Sequence, residues 1–278
     1  MSGVPNRRIH ETTDPLPMEL AEAFAAVRTR LVPLGHRVLF FNTTASTNDV
    51  ALMLVAVADA EGTVVIADEQ TAGRGRLGRV WHSPPASGLY ASIVLSPSRA
   101  RTGADRATGL LTLAAGVALS EAVEEVTALR PDIKWPNDLL IGRRKLAGIL
   151  AESASSDLAH VVLGYGINVG AGQLPPDVDA RATSLEVELG RPVDRAVLCA
   201  ATVAAIAQRY RDLLDGQFDA ILDAWRARSP TSRGVRVTWK TPAGMQSGVT
   251  DGIDDRGALL VRVDERVERI VGGEVTWT

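Results

Sequence analysis

Two segments hold the residues best suited to chemistry. The first, QTAGRGRLGRVW from Gln70 to Trp81, sets Arg74, Arg76 and Arg79 among glycines. Guanidinium groups present fixed forks of donors that suit phosphate and carboxylate, and glycines let a backbone approach a ligand closely. Gly73, Gly75 and Gly78 also satisfy the GxGxxG spacing of a dinucleotide site. That reading needs the glycines to open a helix facing a pyrophosphate. Residues 80–85 read VWHSPP, and a helix cannot run through them. What is left is an arginine loop, either a binder of anions or a solvated basic turn.

The second segment, KWPNDLLIGRRKLAGILAE, runs from Lys134 to Glu152. Pro136 breaks the chain after a strand, and Gly142 to Arg144 make a tight turn. A two-residue turn at Arg143 and Arg144 would bring Asp138 and Lys145 to one face of the sheet, but the sequence does not fix the register. A lysine and a carboxylate facing one site could bind phosphate and assist an incoming amine. An isolated hairpin would carry the same pair as a surface ion pair. Two further pieces are weaker alone. TASTND, Thr44 to Asp49, is the polar cluster of a helix N-cap. GYGINVG, Gly164 to Gly170, offers glycines for close approach, with Asn168 as its strong hydrogen-bonding side chain.

These pieces need a scaffold. Met18 to Val32 has a helical apolar period. Val38 to Phe41 reads as a strand, and Ser46 or Thr47 caps a helix running through Val50 to Ala58. Strands follow at Val64 to Ala67 and Leu89 to Leu95, either side of the loop Thr71 to Ser87. A long helix covers Asp105 to Val126. Ile133 to Ile141, Leu146 to Glu152 and His160 to Val169 read as strands, Val193 to Leu214 and Phe218 to Arg228 as helices. Mixed strands and helices without strict alternation predict an α+β fold, a mixed sheet flanked by helices. From Gly234 the pieces VRVTW, MQSGVTDGI, ALLVRV and ERIVGGEVTW predict a small all-β barrel. The expected division is a disordered tail at 1–17, a main domain at 18–232 and a small domain at 233–278.

The chain has 278 residues, 46% hydrophobic and 23% charged, an ordinary globular balance. No apolar run reaches the roughly 18 residues that span a bilayer, and no secretory signal opens the chain. The single cysteine, Cys199, rules out an internal disulfide framework and fits a reducing cytoplasm. A net charge of −3 gives no support for nucleic-acid binding. The four histidines are scattered without metal-ligand spacing, so no protein-held metal is expected.

Taken in order, STN, QTAGRGRLGRVW, KWPNDLLIGRRKLAGILAE and GYGINVG resemble the biotin protein ligase family, closely from Val38 to Val169 and again in DGIDDRGALLV and GGEV near the C-terminus. The resemblance implies a class II synthetase-like catalytic domain with a small Src-homology-3-like barrel. It implies that biotin is activated by ATP, with Mg2+, and passed to a lysine on a biotin carboxyl carrier domain of acyl-CoA or pyruvate carboxylases. By position, Ser46, Thr47, Asn48 and Gln70 would help hold the ureido ring of biotin. Arg74, Gly75 and Arg76 would belong to a loop closing over biotin and its adenylate, and Lys145 would contact the biotin carboxylate and phosphate. Trp81 would pack near the adenine, with Lys134, Asn137 and Asn168 at ATP contacts. Asp138 would lie close to the reacting carbonyl, which makes Arg74, Arg76, Lys145 and Asp138 the expected catalytic set.

One departure is Ala86, where a glycine is common in the family. Repressor-type members add an N-terminal winged helix-turn-helix domain, and the stretch before the first strand is too short for one. The ligase-only type is expected, as a monomer or weak homodimer. Lipoate ligases and octanoyl transferases share the general fold but lack the full GRGRLGR loop. A non-catalytic DNA-binding regulator is disfavoured by the missing N-terminal domain and the charge.

Overall fold

A computed structural model describes residues 13–56, 59–153, 160–170, 175, 178, 180–242 and 244–277. Its helices are α1 (Met18–Ala26), α2 (Arg28–Leu31), α3 (Thr47–Leu54), α4 (Ala104–Thr127), α5 (Leu185–Leu189), α6 (Arg195–Leu214) and α7 (Phe218–Ala227). The strands are β1 (Arg37–Thr44), β2 (Thr63–Gln70), β3 (Gly88–Leu95), β4 (Asp132–Lys134), β5 (Asp138–Ile141), β6 (Arg144–Ser153) and β7 (Val161–Asn168). A second group comprises β8 (Arg233–Thr241), β9 (Gly244–Ile253), β10 (Leu259–Val263), β11 (Arg266–Ile270) and β12 (Val275–Trp277).

The first seven strands form one mixed sheet in the order β1-β2-β3-β7-β6-β5-β4, parallel between β1 and β2 and antiparallel elsewhere. Side chains alternate across a strand, and this sheet uses the alternation fully. On β7, Leu163, Tyr165 and Ile167 enter the main core against α4 and α6, while Gly164, Gly166 and Asn168 face a cavity. On β3, Leu89, Ala91, Ile93 and Leu95 join the same core. Val65, Ala67, Val94 and Val162 lie in a smaller cluster with Val50, Ala51 and Leu54 of α3. Each fully buried Leu or Val is worth about 1.5–3 kcal/mol over leaving it in water, so the helix-side core anchors the sheet and leaves its other face for the site. Contrary to the sequence expectation of no run of spanning length, helix α4 is, among the described helices, long and apolar enough to cross a bilayer, but 72% of that apolar stretch is buried inside the protein.

The second sheet is antiparallel, in the order β11-β10-β9-β8-β12. Val237, Leu259, Val261 and Val275 belong to the same continuous core as α4. The indole N–H of Trp135 donates to the carbonyl of Gly257 at 3.0 Å, and Arg106 donates to the carbonyl of Asp255 at 2.8 Å. The small sheet is therefore docked on the large one.

Several elements differ from the sequence reading. The first helix breaks at Val27, whose backbone leaves helical geometry at ψ 9°. The stretch from Ile133 to Ile141 is two antiparallel strands, with Lys134 paired to Asp138 across a turn holding Pro136. Proline cannot donate to a ladder, so the strand folds back there. ERIVGGEVTW divides into β11 and β12, and α5 was not read at all. Helix α3 ends at Leu54, and residues 57 and 58 lie outside the described set. Of the expected disordered tail, 1–12 also lies outside it. Asp14, however, is tied to β1: its N–H donates to the carbonyl of Phe40 at 3.0 Å, and its carboxylate accepts from the N–H of Asn42 at 2.6 Å.

Ala86 sits at φ +58°. An L residue in that left-handed region costs roughly 1–2 kcal/mol, against about 0.5–1 kcal/mol for the extra freedom a glycine loses on folding. Ala86→Gly should therefore raise stability by up to ~1 kcal/mol, measured as a higher urea midpoint at unchanged slope. An unchanged or lowered midpoint would count against strain at this position.

Candidate active site

The cavity, about 460 Å³, lies on the sheet face opposite α4 and is lined by residues of both motif segments, of β7 and of the C-terminal sheet. Its floor is β6 and β7, and two glycines decide what can rest on it. A Cβ at Gly166 would lie 2.3 Å from Nε1 of Trp81, and one at Gly164 would lie 2.0 Å from Oδ1 of Asn48. Any other residue at either place would push those side chains off the sheet.

One end of the cavity is neutral and polar. Ser46 stands at the N-cap position of α3 but makes no side-chain cap bond. The backbone N–H of Thr47 donates instead to Oε1 of Gln70 at 2.9 Å, and the Thr47 hydroxyl donates to the same atom at 3.1 Å. Nε2 of Gln70 donates to the Ser83 hydroxyl at 2.9 Å, leaving one amide hydrogen of Gln70 for a ligand. Oγ of Ser92, buried in β3, lies 2.7 Å from Oγ1 of Thr47 and 2.6 Å from Oδ1 of Asn48. Nδ2 of Asn48 donates to Glu152 at 2.6 Å. Thr47, Asn48 and Gln70 are thus held in fixed orientations, with Ser46 beside them in the same cavity.

The other end is cationic. Lys145 Nζ is 2.7 Å from Oδ1 of Asp138 and 5.3 Å from the centre of the Trp81 ring. The turn falls at Gly142 and Arg143, one residue earlier than expected. The pair still shares a face, because Leu140 faces Lys145 across the ladder and Asp138 is two residues from Leu140. A bulge at Leu146 then places Gly148, three residues on, on the same face as Lys145. Lys134 is half-buried, and burial pulls its ammonium below the usual lysine range, with Lys145 adding repulsion and Asp138 opposing it.

The arginine loop is a paired excursion rather than a loose turn. Trp81 N–H donates to the Gly73 carbonyl at 2.9 Å and Gly75 N–H to the Arg79 carbonyl at 2.7 Å, with a short helical tip at Arg76–Gly78. Its three arginines take different partners. Arg74 pairs with Asp49 at 2.6 Å and Glu152 at 3.2 Å, and the hydrogen bond to Asp49 raises its affinity for the proton. Arg76 reaches across the cavity to Oδ1 of Asn137 at 3.3 Å. Arg79 pairs with Glu274 of the C-terminal sheet.

Two expected contact residues are already engaged. Asn137 donates to the Ile149 carbonyl at 2.7 Å, and Asn168 donates to the Thr183 carbonyl at 3.0 Å, tying residues 181–183 to β6 beside Lys145. Sequence reasoning missed Asp49, Ser92, Glu152, Arg143, Arg181 and Glu274. A lone serine inside the apolar strand β3 was the available signal for Ser92; the others carried none. A neutral hydrogen-bonding end and a cationic end in one cavity suit a ligand, or two adjoining ligands, with an uncharged polar head and an anionic junction.

The sequence profile of the biotin/lipoate A/B protein ligase family matches residues 40–168. The biotin–[acetyl-CoA-carboxylase] ligase of Mycobacterium tuberculosis is 39% identical over 239 residues, covering 84% of this chain and 85% of that protein. The bifunctional ligase/repressor BirA of Bacillus subtilis is 34% identical over 263 residues, covering 93% of this chain and 79% of that protein. The structure of the Aquifex aeolicus biotin protein ligase in complex with biotin and ATP superimposes with a TM-score of 0.76 at 28% identity, covering 88% of this chain and 99% of that one. On this shared length, sequence and architecture, the chain belongs to the biotin protein ligase family.

Proposed function

We propose that the protein activates biotin with ATP to biotinyl-5'-AMP and transfers the biotinyl group to a lysine of a biotin carboxyl carrier domain. The observation that carries this is the two-ended cavity. Thr47, Asn48 and Gln70, with Ser46 beside them, suit the uncharged ureido ring, which charge alone could not select. Arg76, Lys134 and Lys145 at the other end suit the carboxylate and the phosphates. Trp81, resting on Gly148 and Gly166, offers a flat face to the adenine, with Asn137 and Asn168 nearby. Relatives that act as biotin–[acetyl-CoA-carboxylase] ligases support the carrier domain as acceptor.

The chemistry follows from charge. Biotin's carboxylate is ionised at neutral pH and needs no base. Its oxygen attacks the α-phosphorus of ATP, the bond to the β,γ-phosphates breaks, and pyrophosphate leaves. Two anions must meet, and the cationic end lowers that barrier. Lys145, already beside Asp138, would lie along the new acyl–phosphate bond. The acceptor amine then attacks the acyl carbon, AMP leaves, and an amide forms. That amine, with a reference pKa near 10.4, must shed a proton first, and we assign its reception to Asp138. Arg74, Gly75 and Arg76 belong to the loop that shields the mixed anhydride from water. Mg2+ would enter with the nucleotide as MgATP, held largely by the phosphates and water.

We further infer that residues 18–232 carry the ligand sites and 233–278 form an accessory unit docked beside them. We place the enzyme in the cytoplasm as a monomer or weak homodimer, with carriers of acyl-CoA or pyruvate carboxylases as partners and no nucleic acid. Mass spectrometry of a carrier domain incubated with enzyme, biotin and MgATP tests the reading. A gain of one biotinyl group on a lysine supports it, and an unmodified carrier under adenylate-forming conditions refutes it.

Gln70→Ala removes the acceptor that holds Thr47 and one free donor. Biotin affinity should fall by about 1–3 kcal/mol with a much smaller effect on ATP, and equal losses by calorimetry would remove Gln70 from the biotin end. Gly166→Ala should instead act through Trp81, because its methyl takes the place of the indole nitrogen. A crystal structure of that variant should show the indole lifted off β7, with weaker ATP binding. An unmoved indole would show that the glycine does not set its position.

A further inference from the structure

Several of the cavity's cations are held by carboxylates or an amide oxygen, whereas Lys134 faces an aromatic ring. Lys145 has Asp138, Arg74 has Asp49 and Glu152, and Arg79 has Glu274. Among the described residues no carboxylate lies within ion-pair distance of Lys134. Its ammonium sits instead 4.7 Å from the centre of the Trp277 ring. Trp277 ends β12, facing Val237 of β8 in the ladder, and its indole N–H donates to the Thr231 carbonyl at 3.3 Å. The ring is therefore fixed from the C-terminal sheet while its face is turned to a lysine of the main sheet. Glu274, directly before β12, reaches the same cavity through Arg79.

A carboxylate and an aromatic face do different things to a cation. A carboxylate cancels most of its charge and competes with an incoming anion. A π face attracts the ammonium and restricts its position but leaves the positive charge whole. We propose that Trp277 is a positioning residue for the nucleotide, holding the Lys134 ammonium over its ring and so presenting it to the phosphates of ATP. This rests on the reading of the cavity as a biotin and ATP site. It assigns the C-terminal unit a defined task, to orient one cation of the main domain.

The test compares Trp277→Phe, which keeps a π face, with Trp277→Leu, which keeps apolar bulk without one, in the full-length enzyme. Both variants are first matched to the parent by thermal unfolding, and adenylate formation by the parent is the control. If the parent forms no biotinyl-adenylate, the functional reading itself fails, and that failure is visible before any variant is assayed. With an active parent, Trp277→Leu should raise KM for ATP about three- to tenfold, as loss of one cation–π contact implies. KM for biotin should stay unchanged, and Trp277→Phe should stay within about twofold of the parent in both. Calorimetric titration of ATP should show the same order of affinities. The proposal is overturned if Trp277→Leu leaves the ATP affinity at the parent's value. It is equally overturned if Phe and Leu weaken ATP alike, or if biotin and ATP are lost together, since any of these marks a packing role.

Discussion

Like charges crowd one cavity, and the structure is arranged around making that tolerable. Arg74, Arg76, Arg79, Lys134 and Lys145 all line it, and Lys145 and Arg79 both act against the charged form of Lys134. Their partners come from several elements. Helix α3 supplies Asp49, β6 supplies Glu152, β5 supplies Asp138, and the C-terminal sheet supplies Glu274 and the Trp277 ring. Asn137, in the turn between β4 and β5, receives Arg76. The charges thus tie together pieces that are distant in sequence. An anionic substrate entering the cavity supplies counter-charge beyond that of the carboxylates around it.

The second constraint is room. A ligand can lie flat on a sheet only where side chains are absent, and β7 meets this with Gly164 and Gly166 on its cavity face. The neighbouring positions Leu163, Tyr165 and Ile167 keep the same strand rooted in the core. Cys199 shows the same economy on the far side. It is fully buried in α6, and burial pushes its thiol up to about 12, so it packs rather than reacts.

Much of this was legible in the sequence because it is local. The prolines at 84 and 85 excluded a helix after the glycines, and the glycines of GYGINVG marked a place for close backbone approach. The pairing of Asp138 with Lys145 needed only the parity of a hairpin, which is why a turn displaced by one residue left it intact. What could not be read depends on chain segments meeting across the fold. Glu152 beside Arg74, Glu274 beside Arg79 and Trp277 beside Lys134 are separated by 78, 195 and 143 positions, and no local pattern announces them. The same holds for Gln70, whose amide oxygen caps α3 from another strand in place of Ser46.

The account makes the neutral and cationic ends two halves of a single site. The most direct measurement is calorimetric titration with a non-hydrolysable biotinyl-adenylate analogue, followed by biotin and then ATP added to the saturated enzyme. A shared cavity predicts one analogue bound per chain and no further heat from either substrate. Continued binding of biotin or of ATP to the saturated enzyme would contradict it.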